Sequence, residues 1–145
     1  MAKSNHPRRK KIPVMKQLAS ICLKYSDMVV AKEISHNRHN LILHITPTKV
    51  SRTYCVKIEL SQNKAPKVYV LSPNLADENK DKCPPHIYSL EKGRICLFLP
   101  REISVYENYS KIVPWISEWL MFYESWVITG NWYGRGHRFE EEISD

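Results

Sequence analysis

Apolar residues recur along this chain with two different periods, and the changes of period divide it into segments. Between residues 14 and 25, Val14, Leu18, Ile21, Cys22 and Tyr25 fall at helical spacing behind Pro13, which predicts an amphipathic first helix. The pattern then turns to alternation. Residues 40–46 alternate in part before Pro47, residues 53–60 alternate clearly, and residues 66–71 form a third β-rich run, with a further candidate strand at 28–34. Turn-forming residues separate these runs, so they predict an antiparallel meander. Helical spacing returns near the end, where Ile112, Trp115, Ile116, Trp119, Leu120, Tyr123 and Trp126 predict a long helix within residues 109–128. Strands grouped between terminal helices indicate an α+β domain.

Residues 72–88 break both patterns. They are rich in Pro, Asn, Asp, Glu and Lys and show no periodicity, over a length that compact domains usually reserve for functional loops. Chemistry is expected at the far end of this loop.

Composition narrows the class. A chain of 145 residues that is 43% apolar and 10% aromatic suffices for one domain with a real core. We expect a basic, flexible arm at 1–12, the domain at 13–137 and an acidic tail at 138–145. The longest apolar runs, such as Ile95-Cys96-Leu97-Phe98-Leu99, are too short to cross a bilayer, and no apolar stretch follows the basic N-terminus. This leads us to expect a cytoplasmic protein with no membrane partner. Cys22, Cys55, Cys83 and Cys96 are irregularly spaced and without a secretion signal, which points to free thiols. Of the net charge of +7, five positive charges sit on Lys3, Arg8, Arg9, Lys10 and Lys11, leaving +2 for the remainder. A short basic arm is a weaker nucleic-acid signal than a basic face on the folded body, and the pattern argues against nucleic acid as the main partner.

The informative stretch is Pro84-Pro85-His86-Ile87-Tyr88-Ser89-Leu90-Glu91-Lys92-Gly93-Arg94-Ile95-Cys96-Leu97. It resembles the active-site segment of ubiquitin-conjugating enzymes, in which a histidine opens the motif, a glycine follows seven positions later and the nucleophilic cysteine stands ten positions after the histidine. His86, Gly93 and Cys96 keep that spacing. The order of helix, meander, long active-site loop and C-terminal helix resembles that family's fold as well.

The resemblance implies that Cys96 is a thioester-forming nucleophile and that His86 holds the loop. It also exposes departures. The family's asparagine, which helps stabilise the oxyanion, is Tyr88 here, and its proline is Ile87. A tyrosine hydroxyl can donate to a developing oxyanion. The acidic residue often found two places after the nucleophile is Phe98, leaving Glu102 or Glu107 as carboxylates for the attacking amine.

The altered signature, with Trp115, Trp119, Trp126 and Trp132 in the C-terminal part, resembles the prokaryotic branch of the family associated with CBASS antiphage operons. That resemblance implies a partner, a cGAS-like cyclic-oligonucleotide synthase or another protein substrate, whose C-terminus is taken as a thioester and passed to an amine. With no activating-enzyme domain in these residues, it resembles the short, stand-alone form. The chemistry suits cysteine, because a thiolate is a strong nucleophile and its acyl adduct stays reactive toward amines.

Other readings stand beside this one. Cys96 between Ile95 and Leu97 also fits a small buried hydrophobe, which would leave a catalytically silent partner-binding module of the same fold. A cysteine hydrolase using His86 or His137 as base is a third class. Cys83, His86, Cys96 and His137 contain ligand types that suit zinc, but match no paired-cysteine spacing, so neither metal nor cofactor is expected. Trp115, Trp119 and Trp126 at helical spacing read as core or as a partner-binding groove.

Overall fold

The computed structural model describes residues 10–98 and 102–134. The basic arm as far as Arg9, His137 and the acidic tail lie outside the described residues. The end of the expected arm is held on the body: the Lys11 ammonium donates to Asn63 at 2.9 Å, and the Ile12 N–H donates to the Val105 carbonyl at 3.2 Å.

The predicted first helix forms as α1, Val14–Lys24. The alternating runs form β1 (Val29–Ile34), β2 (His39–Ile45), β3 (Tyr54–Ser61) and β4 (Lys64–Ser72). Neighbouring strands pair antiparallel, as short connections between them require. In β3 the alternation becomes burial directly, with Tyr54, Val56, Ile58 and Leu60 inside. These side chains meet Leu18 and Ile21 of α1 and the inner residues of β2 and β4 in one core.

Two parts differ from the sequence expectation. The aperiodic 72–88 segment contains a one-turn helix, α2 (Leu75–Glu78), whose Asn74 side chain accepts from the Asp77 N–H. Four residues are too few to display a helical period. The segment then enters β5 (Ile87–Ser89), which pairs antiparallel with β6 (Arg94–Ile95). Because β6 also pairs with β4 at Val68 and Tyr69, the meander is extended into a six-stranded sheet of order β1-β2-β3-β4-β6-β5. Strands of two and three residues leave no alternation to read, and their pairing with β4 defines them.

Gly93 makes that extension possible. Its φ is +71°, and a Cβ there would stand 2.4 Å from the Val70 carbonyl oxygen of β4. The Val70 N–H in turn donates to the Gly93 carbonyl at 2.8 Å.

A 3-10 turn at Tyr109–Lys111 leads into α3, Ile112–Thr129. Pro114 falls in its first turn, where an N–H is least needed. Ile112, Val113, Ile116, Trp119, Leu120, Tyr123 and Trp126 are buried, so the predicted apolar face is the packed one. After the left-handed cap at Gly130 the chain turns back, and Trp132 packs on Trp119 and Phe122 with ring centres 5.3 and 6.1 Å apart. Gln17 of α1 is 1% exposed and works as a clamp: its amide donates to the Glu107 carbonyl at 2.6 Å and accepts from the Tyr109 N–H at 2.8 Å. This ties the segment entering α3 to α1. Among the described residues, no helix is long and apolar enough to cross a membrane.

Candidate active site

Cys96 directly follows β6, and its position depends on His86 at the start of β5. His86 adopts φ +55°, a left-handed conformation uncommon outside glycine. In that conformation its carbonyl receives two donors, the Cys96 N–H at 2.9 Å and the Trp119 indole N–H at 3.0 Å. One carbonyl therefore joins the cysteine, the loop and α3. The His86 ring packs edge-on against Trp132 at 5.3 Å, with Nε2 buried.

Cys96 is half-buried and free, and its thiol donates weakly to the Phe98 carbonyl at 3.7 Å. Tyr88 lies close enough to the same sulfur to act on its titration. Burial pushes the Cys96 thiol above the ordinary value, and Glu102 pushes it further the same way. Opposing them, in decreasing order, are the Tyr88 hydroxyl, the Phe98 backbone and the Arg94 charge. Tyr88 itself is pushed up to about 12, first by burial and then by the hydrogen bond and charge of Cys96. Its hydroxyl thus keeps its proton throughout the neutral range and remains a donor.

A cavity of about 130 Å³ is walled by Ala65, Pro66, Val68 and by Ile95, Leu97 and Phe98 of the Cys96 segment, and bordered by Tyr88, Arg94 and Lys67. Phe98 leans on Trp115 of α3, ring centres 6.1 Å apart. The position where the resembling family often carries an acid is thus a packing contact here.

The structure brings Cys96, His86 and Tyr88 together and places Glu102 within electrostatic reach of the sulfur. Glu107 is engaged elsewhere, in an ion pair with Lys111 one helical turn on. Cys83, exposed, donates to its neighbour's carbonyl. Among the described residues, no three His, Cys, Asp or Glu side chains converge as a metal site. Sequence reasoning missed Arg94, whose guanidinium stands 4.5 Å over the Tyr88 ring, and the indole N–H of Trp119. The signal for Arg94 was its place between Gly93 and buried Ile95, which turns it to the opposite face of the strand from Ile95. Nothing in the helical period distinguished Trp119 from the other buried tryptophan of α3, Trp126.

No curated protein matches the chain. A family model described as type II CBASS E2 protein matches residues 15–139, a span that takes in the sheet, the Cys96 segment and α3. A cysteine held at the edge of an α+β sheet, at the motif spacing of ubiquitin-conjugating enzymes, sits within that match, and this chain belongs to the type II CBASS E2 family, with a role in CBASS defence.

Proposed function

We propose that the protein has a ubiquitin-conjugating-enzyme-like fold and acts as an acyl carrier: Cys96 forms a thioester with the C-terminus of a protein and passes the acyl group to an amine. The observation that carries this reading is the free, half-buried Cys96 whose N–H is held on the His86 carbonyl at 2.9 Å, in a segment whose neighbours Ile95, Leu97 and Phe98 line a cavity with Tyr88. In the first step Sγ attacks the activated acyl carbon, the leaving group departs with the bonding electron pair, and the thiol proton goes to solvent. In the second step an amine attacks the thioester. The oxygen of the tetrahedral intermediate takes the negative charge and Tyr88 donates to it. The intermediate collapses with loss of the Cys96 thiolate, and the amine's surplus proton goes to Glu102 or water.

A raised thiol fits a carrier better than a hydrolase. A hydrolase needs a base aligned on its nucleophile, and of the two candidates His137 lies outside the described residues while the His86 ring packs on Trp132 and its carbonyl holds the Cys96 N–H. The acyl donor we favour is a cGAS-like cyclic-oligonucleotide synthase of the same defence system.

Intact-mass and non-reducing gel analysis of the protein co-expressed with that synthase tests the reading. A thiol-sensitive adduct is expected for the wild type, none for Cys96→Ala, and a thiol-resistant ester for Cys96→Ser. Equal synthase binding by all three proteins, without any adduct, replaces this reading with a silent binding module.

A further inference from the structure

The cavity of about 130 Å³ is built largely from the segment that carries Cys96. Arg94, Ile95, Leu97 and Phe98 line it on one side, and residues 65–68 of β4 close the other. The Cys96 N–H donates to the His86 carbonyl, so the β5–β6 ladder, in which Ile87 faces Ile95, runs one residue further. Alternation then puts the Cys96 and Arg94 side chains on one face of the strand and buried Ile95 on the other. Consecutive Cα atoms lie about 3.8 Å apart. A protein tail bonded to Sγ through its terminal carbonyl therefore has the cavity within reach of its last few residues.

The walls set the chemistry of that tail. The volume is close to that of an engineered apolar cavity that takes up benzene, about 150 Å³, which suits one aliphatic side chain. Two cations, Lys67 and Arg94, border the cavity, and no carboxylate does. The two are not equivalent. Lys67 is paired in register with Glu59, which also holds Lys57 at 3.6 Å. Arg94 is paired in register with Tyr69 and Ser89, its guanidinium stands 4.5 Å over the Tyr88 ring, and its Nε is buried without an acceptor. Among the described residues no carboxylate forms an ion pair with it. An unmet guanidinium donor at the rim of an apolar cavity is matched by a carboxylate brought in from outside.

We propose that this cavity is the recognition site for the protein tail that Cys96 carries: an aliphatic side chain within the tail's last few residues fills it, and an adjacent Asp or Glu lies on Arg94. The inference rests on the carrier reading for its occupant and adds the class of substrate, a tail with an apolar and acidic pair close to its end.

Tethering tests the site without any charging step. The peptides acetyl-Gly-Leu-Glu-Gly, acetyl-Gly-Leu-Gln-Gly and acetyl-Gly-Ala-Glu-Gly, each ending in a cysteamine amide, are equilibrated as disulfides with the protein in graded 2-mercaptoethanol. Intact-mass and peptide analysis read the occupancy of Cys96, with exposed Cys83 as internal control. The Leu-Glu peptide is expected to withstand about tenfold more reductant at Cys96 than either of the others, the order of effect of a charge-assisted hydrogen bond or a buried aliphatic side chain. All three should be held alike at Cys83. Arg94→Gln should erase the preference for Glu over Gln and keep that for Leu over Ala, whereas Lys67→Gln should leave both in place.

Equal retention of the Glu and Gln peptides by the wild type overturns the proposal, as does equal retention of the Leu and Ala peptides, and neither comparison needs a variant to fold. A Glu preference that survives Arg94→Gln overturns the assignment of the carboxylate to Arg94. Should the peptides without cysteamine shift the Val68 and Leu97 methyl resonances while the tethered ones show no preference, the cavity serves the amine acceptor and the donor assignment falls. The co-expression adduct tests the carrier reading separately. An adduct without a tethering preference removes this site alone, whereas a tethering preference without any adduct removes the carrier reading and leaves a peptide site next to a free thiol.

Discussion

The protein contains two arginine-tyrosine pairs of similar geometry and opposite completeness. Near the C-terminal half of α3, Arg52 stands 5.0 Å over Tyr54 and is bound by both oxygens of Glu78 at 2.6 Å each. Glu78 also accepts from Tyr123 at 3.0 Å, and Asn79 donates to the Tyr123 hydroxyl at 2.7 Å. Glu124 accepts from Tyr54 at 2.8 Å and from Ser51 at 2.7 Å. Each charged group there has at least two hydrogen bonds. At the other pair, Arg94 over Tyr88, no described carboxylate pairs with the cation. A satisfied network joins sheet to helix. The second pair carries no such network, and under the proposed function it lies nearer the reacting cysteine.

The largest expected effect lies at the incomplete pair. Tyr88→Phe should slow acyl transfer from Cys96 to an amine about 100-fold while changing stability by less than about 0.5 kcal/mol. Single-turnover decay of the thioester and denaturant melts measure the two quantities. Unchanged transfer would remove the functional half of the comparison.

Next comes the scaffold beneath it. Gly93→Ala combines a left-handed backbone with a clash against the Val70 carbonyl and should cost about 2–4 kcal/mol. Chemical denaturation reads this, and loss of the β5–β6 pairing should appear as faster amide exchange at Ile95.

The complete network should respond in the opposite sense to Tyr88. Tyr54→Phe removes a buried donor from Glu124 and should cost about 1 kcal/mol of stability, with the alkylation rate of Cys96 unchanged. A change in that rate would mean that the two regions are coupled.

The smallest effect is a difference in pH response. Arg52, then Tyr123, hold Glu78 below the ordinary carboxylate value. A depressed carboxyl stabilises the fold above its unfolded value, and this is lost as pH falls through the folded one. Solvent screening limits the loss to no more than about 1 kcal/mol, and Glu78→Gln should flatten the acid limb of a stability curve. Cys96 has the opposite sign. Its raised thiol stabilises the fold below the ordinary thiol value and is lost as pH rises through the folded one, so Cys96→Ala should flatten the alkaline limb.

The long elements were legible because each repeats its period several times. β3 and α3 bury the residues that alternation and helical spacing select. β5 and β6 were not legible, since two or three residues carry no period and their only definition is the pairing with Val68 and Tyr69. In the site, Cys96, Gly93 and His86 could be named because their spacing resembles the motif of ubiquitin-conjugating enzymes. His86 is expected to hold the loop, and its carbonyl, which sequence cannot orient, receives the Cys96 N–H through a left-handed φ. Gln17 reads as a polar position on an amphipathic helix, but it is buried by the segment that enters α3.

The sequence alone determined the α+β order, the candidate nucleophile and the resemblance to its family, because these depend on local periods and on fixed intervals along the chain. Only the tertiary structure decided that Arg94 lies over Tyr88, that the Cys96 N–H meets the His86 carbonyl and that Trp119 donates to the same oxygen. Those contacts join residues brought together by strand register and helix packing, and they arise only when separate parts of the chain bury a common core.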